Sequence, residues 1–217
     1  MMDKQKLVEL LEQLKANSKK RRFAQSVDLE LKLKNVDVSK PENSFTETYS
    51  LPKGFPGKRR RVCVFADGAS LPRARESGAD AVMTRSEIEA LAGDKKAVKK
   101  LAKKYDFFVA DVALMPTVGR VMGQVLGPRG KMPTPFPVNT DPKPIVERLR
   151  NSVLIKLKGQ PVIRCMVGSE DMNPADLAEN ILDVVNHITQ KVKGGRAALD
   201  HALIKMSMSK PFKIDFR

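Results

Sequence analysis

The chain contains no tryptophan and only two tyrosines. Binding single-stranded nucleic acid by stacking needs aromatic platforms, so this scarcity argues against that mode. Cysteine and histidine are equally sparse, with two of each. Cys63 and Cys165 stand alone among apolar neighbours and read as buried thiols of a reducing compartment. His187 and His201 are isolated, and without a Cys/His cluster at ligand spacing no metal is expected. No stretch approaches the ~20 apolar residues that cross a bilayer. The N-terminus is an amphipathic charged segment without the apolar core of a signal peptide. The expectation is a cytoplasmic protein with no membrane and no cofactor. Acidic charge is also short: 25 Asp and Glu face 40 Lys and Arg, for a formal net charge of +15. A cationic chain with no membrane segment points first to nucleic acid.

What is present falls into two styles. At the start, Leu7, Leu10, Leu11 and Leu14 recur at helical spacing within residues 3–15. A basic run follows, Lys19-Lys20-Arg21-Arg22, and then Phe23. It reads either as a solvated linker or as a phosphate-contacting edge beside an exposed aromatic, and the overall charge favours the edge. Residues 26–34 alternate, with Val27, Leu29, Leu31 and Leu33 on one face and Asp28, Glu30, Lys32 and Lys34 on the other. This predicts a half-buried strand with an open polar face. Residues 45–51 alternate as a second strand, and the turn-rich residues 52–58 form a candidate hinge.

From Arg61 the style changes. Val62 to Ala66 and Phe107 to Asp111 are apolar runs suited to strands covered on both faces. Ala79 to Met83 is a shorter strand. Helices are predicted over 73–77, over 85–92 with Ser86 as cap, and over 95–104 with a basic face. Strands alternating with helices indicate a small doubly wound α/β unit. Residues 119–137 then run through Gly127-Pro128-Arg129-Gly130-Lys131-Met132-Pro133. Gly127 and Gly130 permit positive φ, which predicts a stiff turn displaying Arg129 and Lys131. Pro133, Pro135 and Pro137 favour an extended path. An anion contact and a rigid cationic loop are both compatible with this stretch. A short helix over 145–151 closes the section.

The first style then returns. Val153 to Lys158 reads as a strand, Gly159-Gln160-Pro161 as a turn and Val162 to Val167 as its hairpin partner. Asn173 caps a long helix with Pro174 at its first position, and Gly194-Gly195 ends it. Residues 202–213 read as one strand centred on residues 203–209. The economical architecture is an insertion. Residues 1–59 and 153–217 make one α+β domain, residues 60–152 an inserted Rossmann-like domain, and Gly57, Arg60, Asn151 and Ser152 the hinges. The fold class is mixed α/β.

An enzyme reading would use the α/β unit to bind a nucleotide. A dinucleotide fingerprint would directly follow the first strand, but Asp67-Gly68-Ala69-Ser70 lacks the further glycines. Lys131 lacks the Ser/Thr of a P-loop, and Asp67, Asp80 and Asp111 are single acids. The binding reading does better. Folded RNA is recognised through phosphates, 2′-hydroxyls and shape. The first domain supplies cations in Lys20, Arg22, Lys158, Arg164 and Lys210, hydroxyls in Ser26, Ser207 and Ser209, and apolar contacts in Phe23 and Met208. An edge strand whose methionines fill a core face explains the tail equally well.

Met122-Gly-Gln-Val-Leu-Gly-Pro-Arg-Gly-Lys-Met-Pro resembles the signature of the ribosomal protein L-one family, the large-subunit protein of the mobile side stalk. Phe23-Ala-Gln-Ser-Val-Asp, Leu51-Pro-Lys-Gly-Phe, Asp111-Val-Ala-Leu-Met-Pro, Met172-Asn-Pro-Ala-Asp-Leu-Ala-Glu-Asn-Ile and Ser207-Met-Ser-Lys-Pro support it, and the style is similar to archaeal members. The resemblance implies a discontinuous domain that holds ribosomal RNA of the stalk. It also implies a role in releasing deacylated tRNA from the exit site, and repression through a stalk-like structure in the protein's own mRNA. The protein is expected to be ribosome-associated, and a monomer when free. By position, Arg22 and Phe23 match a basic-aromatic pair that touches RNA, and Ser26 and Asp28 match polar positions on the same strand face. Ser207, Met208 and Ser209 match a Thr-Met-Gly that packs on the RNA backbone, with Ser209 placing a side chain where the family has Gly. Arg129 and Lys131 are expected to make at most a secondary RNA contact.

Overall fold

The computed structural model describes residues 4–55 and 60–215. In chain order its elements are α1 (Lys4–Ala16), β1 (Ser26–Leu33), β2 (Phe45–Ser50), β3 (Val62–Phe65), α2 (Leu71–Glu76), β4 (Ala81–Met83), α3 (Arg85–Ala90), α4 (Lys95–Lys104), β5 (Phe107–Asp111), α5 (Met115–Leu126), β6 (Thr134–Phe136), α6 (Lys143–Arg150), β7 (Ser152–Leu157), β8 (Val162–Ser169), α7 (Pro174–Lys191), β9 (Leu199–Met206) and β10 (Phe212–Asp215). The chain divides into two compact units, Met1–Arg59 with Asn151–Arg217, and Arg60–Arg150. Asn151 and Ser152, expected as a linker, pack within the first unit. The Asn151 carbonyl accepts the Leu51 N–H at 2.8 Å, and Ser152 pairs with Ser50 across β2 and β7. Gly57 lies outside the described residues.

The first unit is an antiparallel sheet in the order β10-β9-β1-β8, with a separate pair, β2-β7. Alternation in β1 has the predicted consequence: Val27, Leu29, Leu31 and Leu33 are buried, whereas Asp28, Glu30 and Lys32 are not. The buried face shares one core with Leu7, Leu11 and Leu14 of α1 and with Leu177, Ile181, Val184 and Ile188 of α7. Asn173 caps α7 by accepting the Ala175 N–H, with Pro174 in the first turn. Gly168 is required by packing, because a Cβ there would lie 2.2 Å from Leu177 Cδ2 and 2.7 Å from Met172 Sδ. Two strand expectations change. Residues 152–169 are not a hairpin: β7 pairs with β2 while β8 pairs with β1, so the turn at Gly159 passes the chain between two sheets. Residues 202–213 are not one strand, because the chain turns at 207–210 and returns as β10 against β9.

The second unit is a four-stranded parallel sheet in the order β4-β3-β5-β6. It is covered on both faces, which is why β3 is buried at every position. Helix α3 is capped by Thr84 in a capping box with Glu87, two residues earlier than the expected Ser86. Helix α5 begins at Met115 with Pro116 in its first turn, where a missing N–H costs nothing. The proline-rich segment adds β6 at the sheet edge, the place where Pro135 is tolerated. The mixed α/β class is thus what the sequence indicates. Among the described residues no helix is long and apolar enough to cross a membrane, and no group of His, Cys, Asp or Glu could hold a metal ion.

Candidate nucleic-acid interface

The site is built around a side chain that composition alone does not mark. Gln25, immediately before β1, is fully buried. Its Nε2 donates to Ser18 Oγ at 3.2 Å and to the Lys19 carbonyl at 3.3 Å, while its Oε1 accepts the Met208 N–H at 3.1 Å. Its own carbonyl accepts the Glu170 N–H at 2.9 Å. One amide therefore ties the basic loop after α1 to the turn after β9. Ser26 and Ser207 extend the tie: Ser207 Oγ accepts the Ser26 N–H at 3.2 Å, and the Ser207 N–H donates to the Ser26 carbonyl at 3.1 Å. Lys15 closes the rear by donating to the Met172 carbonyl, and burial lowers its pKa.

The turn at 207–210 holds itself together. Ser209 Oγ accepts the Met206 N–H at 2.9 Å and donates to the Lys210 carbonyl at 3.0 Å. Ser209 is not among the positive-φ residues, so its side chain sits in this turn without backbone strain and contributes to it. Met206 and Met208 do not share a strand face. Met206 is buried at the end of β9, and Met208, in the turn, is 61% exposed. Phe23 is 52% exposed, on the loop held by Gln25. Between loop and turn lies a depression of about 610 Å³, lined by Asn17, Ser18, Lys19, Arg21, Met208, Ser209 and Lys210 with Pro211 and Phe212.

A second depression, about 530 Å³, lies on the open face of the sheet and is lined by Asp28, Glu30, Arg164, Met166, Leu203, Lys205 and Pro211. Pro211 borders both hollows, so the sheet face and the turn are neighbours. Arg164 Nε donates to Glu30 Oε2 at 2.6 Å, and this hydrogen bond raises the guanidinium pKa.

Of the expected contact residues, Met208, Ser209 and Lys210 line the depression beside the turn, where the loop contributes Lys19 and Arg21 rather than Lys20 and Arg22. Ser26 is tied to Ser207, Lys20, Arg22 and Phe23 are exposed on the same loop, and Asp28 and Arg164 line the adjoining depression. Lys158 is placed elsewhere. It follows β7 near Pro161, whose carbonyl accepts the Leu33 N–H at the opposite end of β1 from Ser26. That is roughly 20 Å away at the rise of a strand. Lys131 is turned inward: its ammonium donates to the carbonyls of Ala102 at 2.9 Å and Tyr105 at 2.7 Å, at the C-terminal end of α4, and burial lowers its pKa. Gly127, expected to use positive φ, is helical at φ −56°, and only Gly130 takes φ +68°. Lys131 N–H donates to Leu126 O and Gly130 N–H to Gly127 O, which is the Schellman ending of a helix. The stretch is therefore a helix stop.

Comparison with known proteins decides the family. The model of the Ribosomal protein L1p/L10e family matches residues 14–210. The chain belongs to this family. It is 46% identical over 204 residues to the large ribosomal subunit protein uL1 of Methanothermobacter thermautotrophicus, covering 94% of this chain and 96% of that protein. The proteins of the same name from Archaeoglobus fulgidus and Pyrobaculum calidifontis are 42% and 44% identical, each over 99% of this chain and 99% and 95% of theirs. The resemblance to an archaeal-type member is therefore correct. The family is one of ribosomal proteins rather than enzymes, which removes the nucleotide-binding alternative. In the inserted unit, the C-terminal ends of β3 and β5, where such folds take their ligands, are joined internally: Ser70 Oγ donates to the buried Asp111 at 2.8 Å.

Proposed function

We propose that this chain is a structural protein of the large ribosomal subunit that holds the ribosomal RNA of the mobile stalk on its first unit. The observation that carries the reading is the Gln25 tie. It joins a basic loop and a hydroxyl-lined turn into one surface carrying two exposed apolar side chains. Lys20, Arg22 and Lys210 meet phosphates, Ser209 and the backbone of the turn meet 2′-hydroxyls, and Phe23 and Met208 lie on the sugar-phosphate surface. Asp28 and Arg164 belong to the margin of this contact. Release of exit-site tRNA, and repression through the protein's own mRNA, follow from the family resemblance and use the same unit. Arg60 and Asn151 stand at the two boundaries between the units and are the proposed hinge positions, whereas Ser152 is held in β7.

The test is a stalk rRNA fragment titrated with wild-type protein and with the triple variant Arg22→Gln, Phe23→Ala, Met208→Ala. All three side chains are exposed, so the fold is expected to survive. The expected loss of affinity is at least tenfold, about 1.4 kcal/mol. Equal affinity would remove this surface from the assignment.

A further inference from the structure

The inserted unit carries a cationic surface that the stalk contact does not use. Helix α4 reads KKAVKKLAKK. At 100° per residue, Lys95, Lys96, Lys99, Lys100, Lys103 and Lys104 occupy one half of the helix, and Ala97, Val98, Leu101 and Ala102 occupy the other. The structure agrees with the wheel: Val98, Leu101 and Ala102 pack into the unit's core, and all six lysines are exposed. Among the described residues none of the six forms an ion pair. The capping carboxylate of Asp94 is turned to the Lys96 and Ala97 backbone N–H groups. The cationic surface continues past the N-terminal end, where Lys95 and Arg120 line one depression of about 220 Å³.

This arrangement opposes the free helix. Lysines three and four residues apart repel each other, and Lys95 and Lys96 stand at the positive end of the helix dipole. A polyanion would relieve both. We infer that the lysine face of α4 is a second RNA-binding surface, which takes the phosphate backbone of a folded or double-helical RNA segment other than the one held by the first unit. Point-charge ammonium groups about 6 Å apart along the helix suit sequence-independent phosphate contact. A membrane surface fits less well, because binding there requires an apolar face free to insert and that face of α4 is already buried. An acidic protein fits less well because such interfaces are depleted in Lys and use aromatic and Arg anchors.

The experiment uses the full chain saturated with its stalk rRNA fragment, to which an unrelated RNA duplex is added. Lys96, Lys99, Lys100 and Lys103 are changed together to Gln, and in a second variant to Arg. The Gln variant is expected to bind the duplex at least tenfold more weakly, with its log–log salt slope shallower by about 3. The Arg variant is expected to bind as wild type. Affinity for the stalk fragment is expected to stay within about twofold in both, so failure of the stalk assignment shows up separately in that titration. Unchanged duplex binding by the Gln variant overturns the inference. So does a wild-type protein that binds anionic-lipid vesicles or polyglutamate through these lysines but not the duplex.

Discussion

Gln25 makes three side-chain hydrogen bonds from a fully buried position, to groups on both a loop and a turn. Gln25→Leu keeps the approximate volume but leaves the Met208 N–H and the Lys19 carbonyl without that partner. A destabilisation of about 1–3 kcal/mol by urea denaturation is expected, the usual cost of stranding buried polar groups, together with weaker binding of stalk RNA. Unchanged stability would mean that the tie is dispensable. The importance of Gln25 was not legible in the sequence, because a buried glutamine looks like any polar residue preceding a strand. Arg22, Phe23 and Met208 stand out in the sequence as cationic and apolar residues within polar segments, and all three are exposed. Lys158 was misplaced because charge alone does not say which end of a sheet a turn occupies.

Among the elements, local chemistry is legible in the sequence and strand pairing is not. Alternation in β1, the apolar runs of β3 and β5 and the cap of α7 depend on near neighbours, and each formed as expected. The partners of β7 and β8 depend on strands more than a hundred residues away, and a turn signal at Gly159 could not choose among them. The Gly-Pro-Arg-Gly-Lys stretch follows a helix, as its sequence indicates, but which of its glycines takes the left-handed conformation is not legible from spacing alone. Gly130 alone needs the left-handed conformation. Gly130→Ala is therefore expected to cost about 1–2 kcal/mol. Gly123→Ala, inside α5 with nothing within 4 Å of the new methyl, is expected to stabilise by up to about 1 kcal/mol. Thermal denaturation of the two variants checks this, and equal effects would contradict the Schellman ending.

At the scale of the whole molecule, the division into two units with separate cores predicts separable roles. A chain in which residues 60–150 give way to a short Gly-Ser linker is expected to keep most of its affinity for the stalk fragment. Loss of nearly all binding would move the principal contact to the inserted unit. The order of strands has one more consequence. Strand β1 lies at the centre of its sheet, yet both its neighbours come from beyond the insertion, and its hydrogen bond to Ser207 joins residues 181 positions apart. During synthesis the inserted unit is made whole before β8 and β9 exist, so α1 and β1 wait with their apolar faces uncovered. The surface built around Gln25 is therefore complete only once the turn at 207–210, the last part of it to be made, has packed against the start of β1.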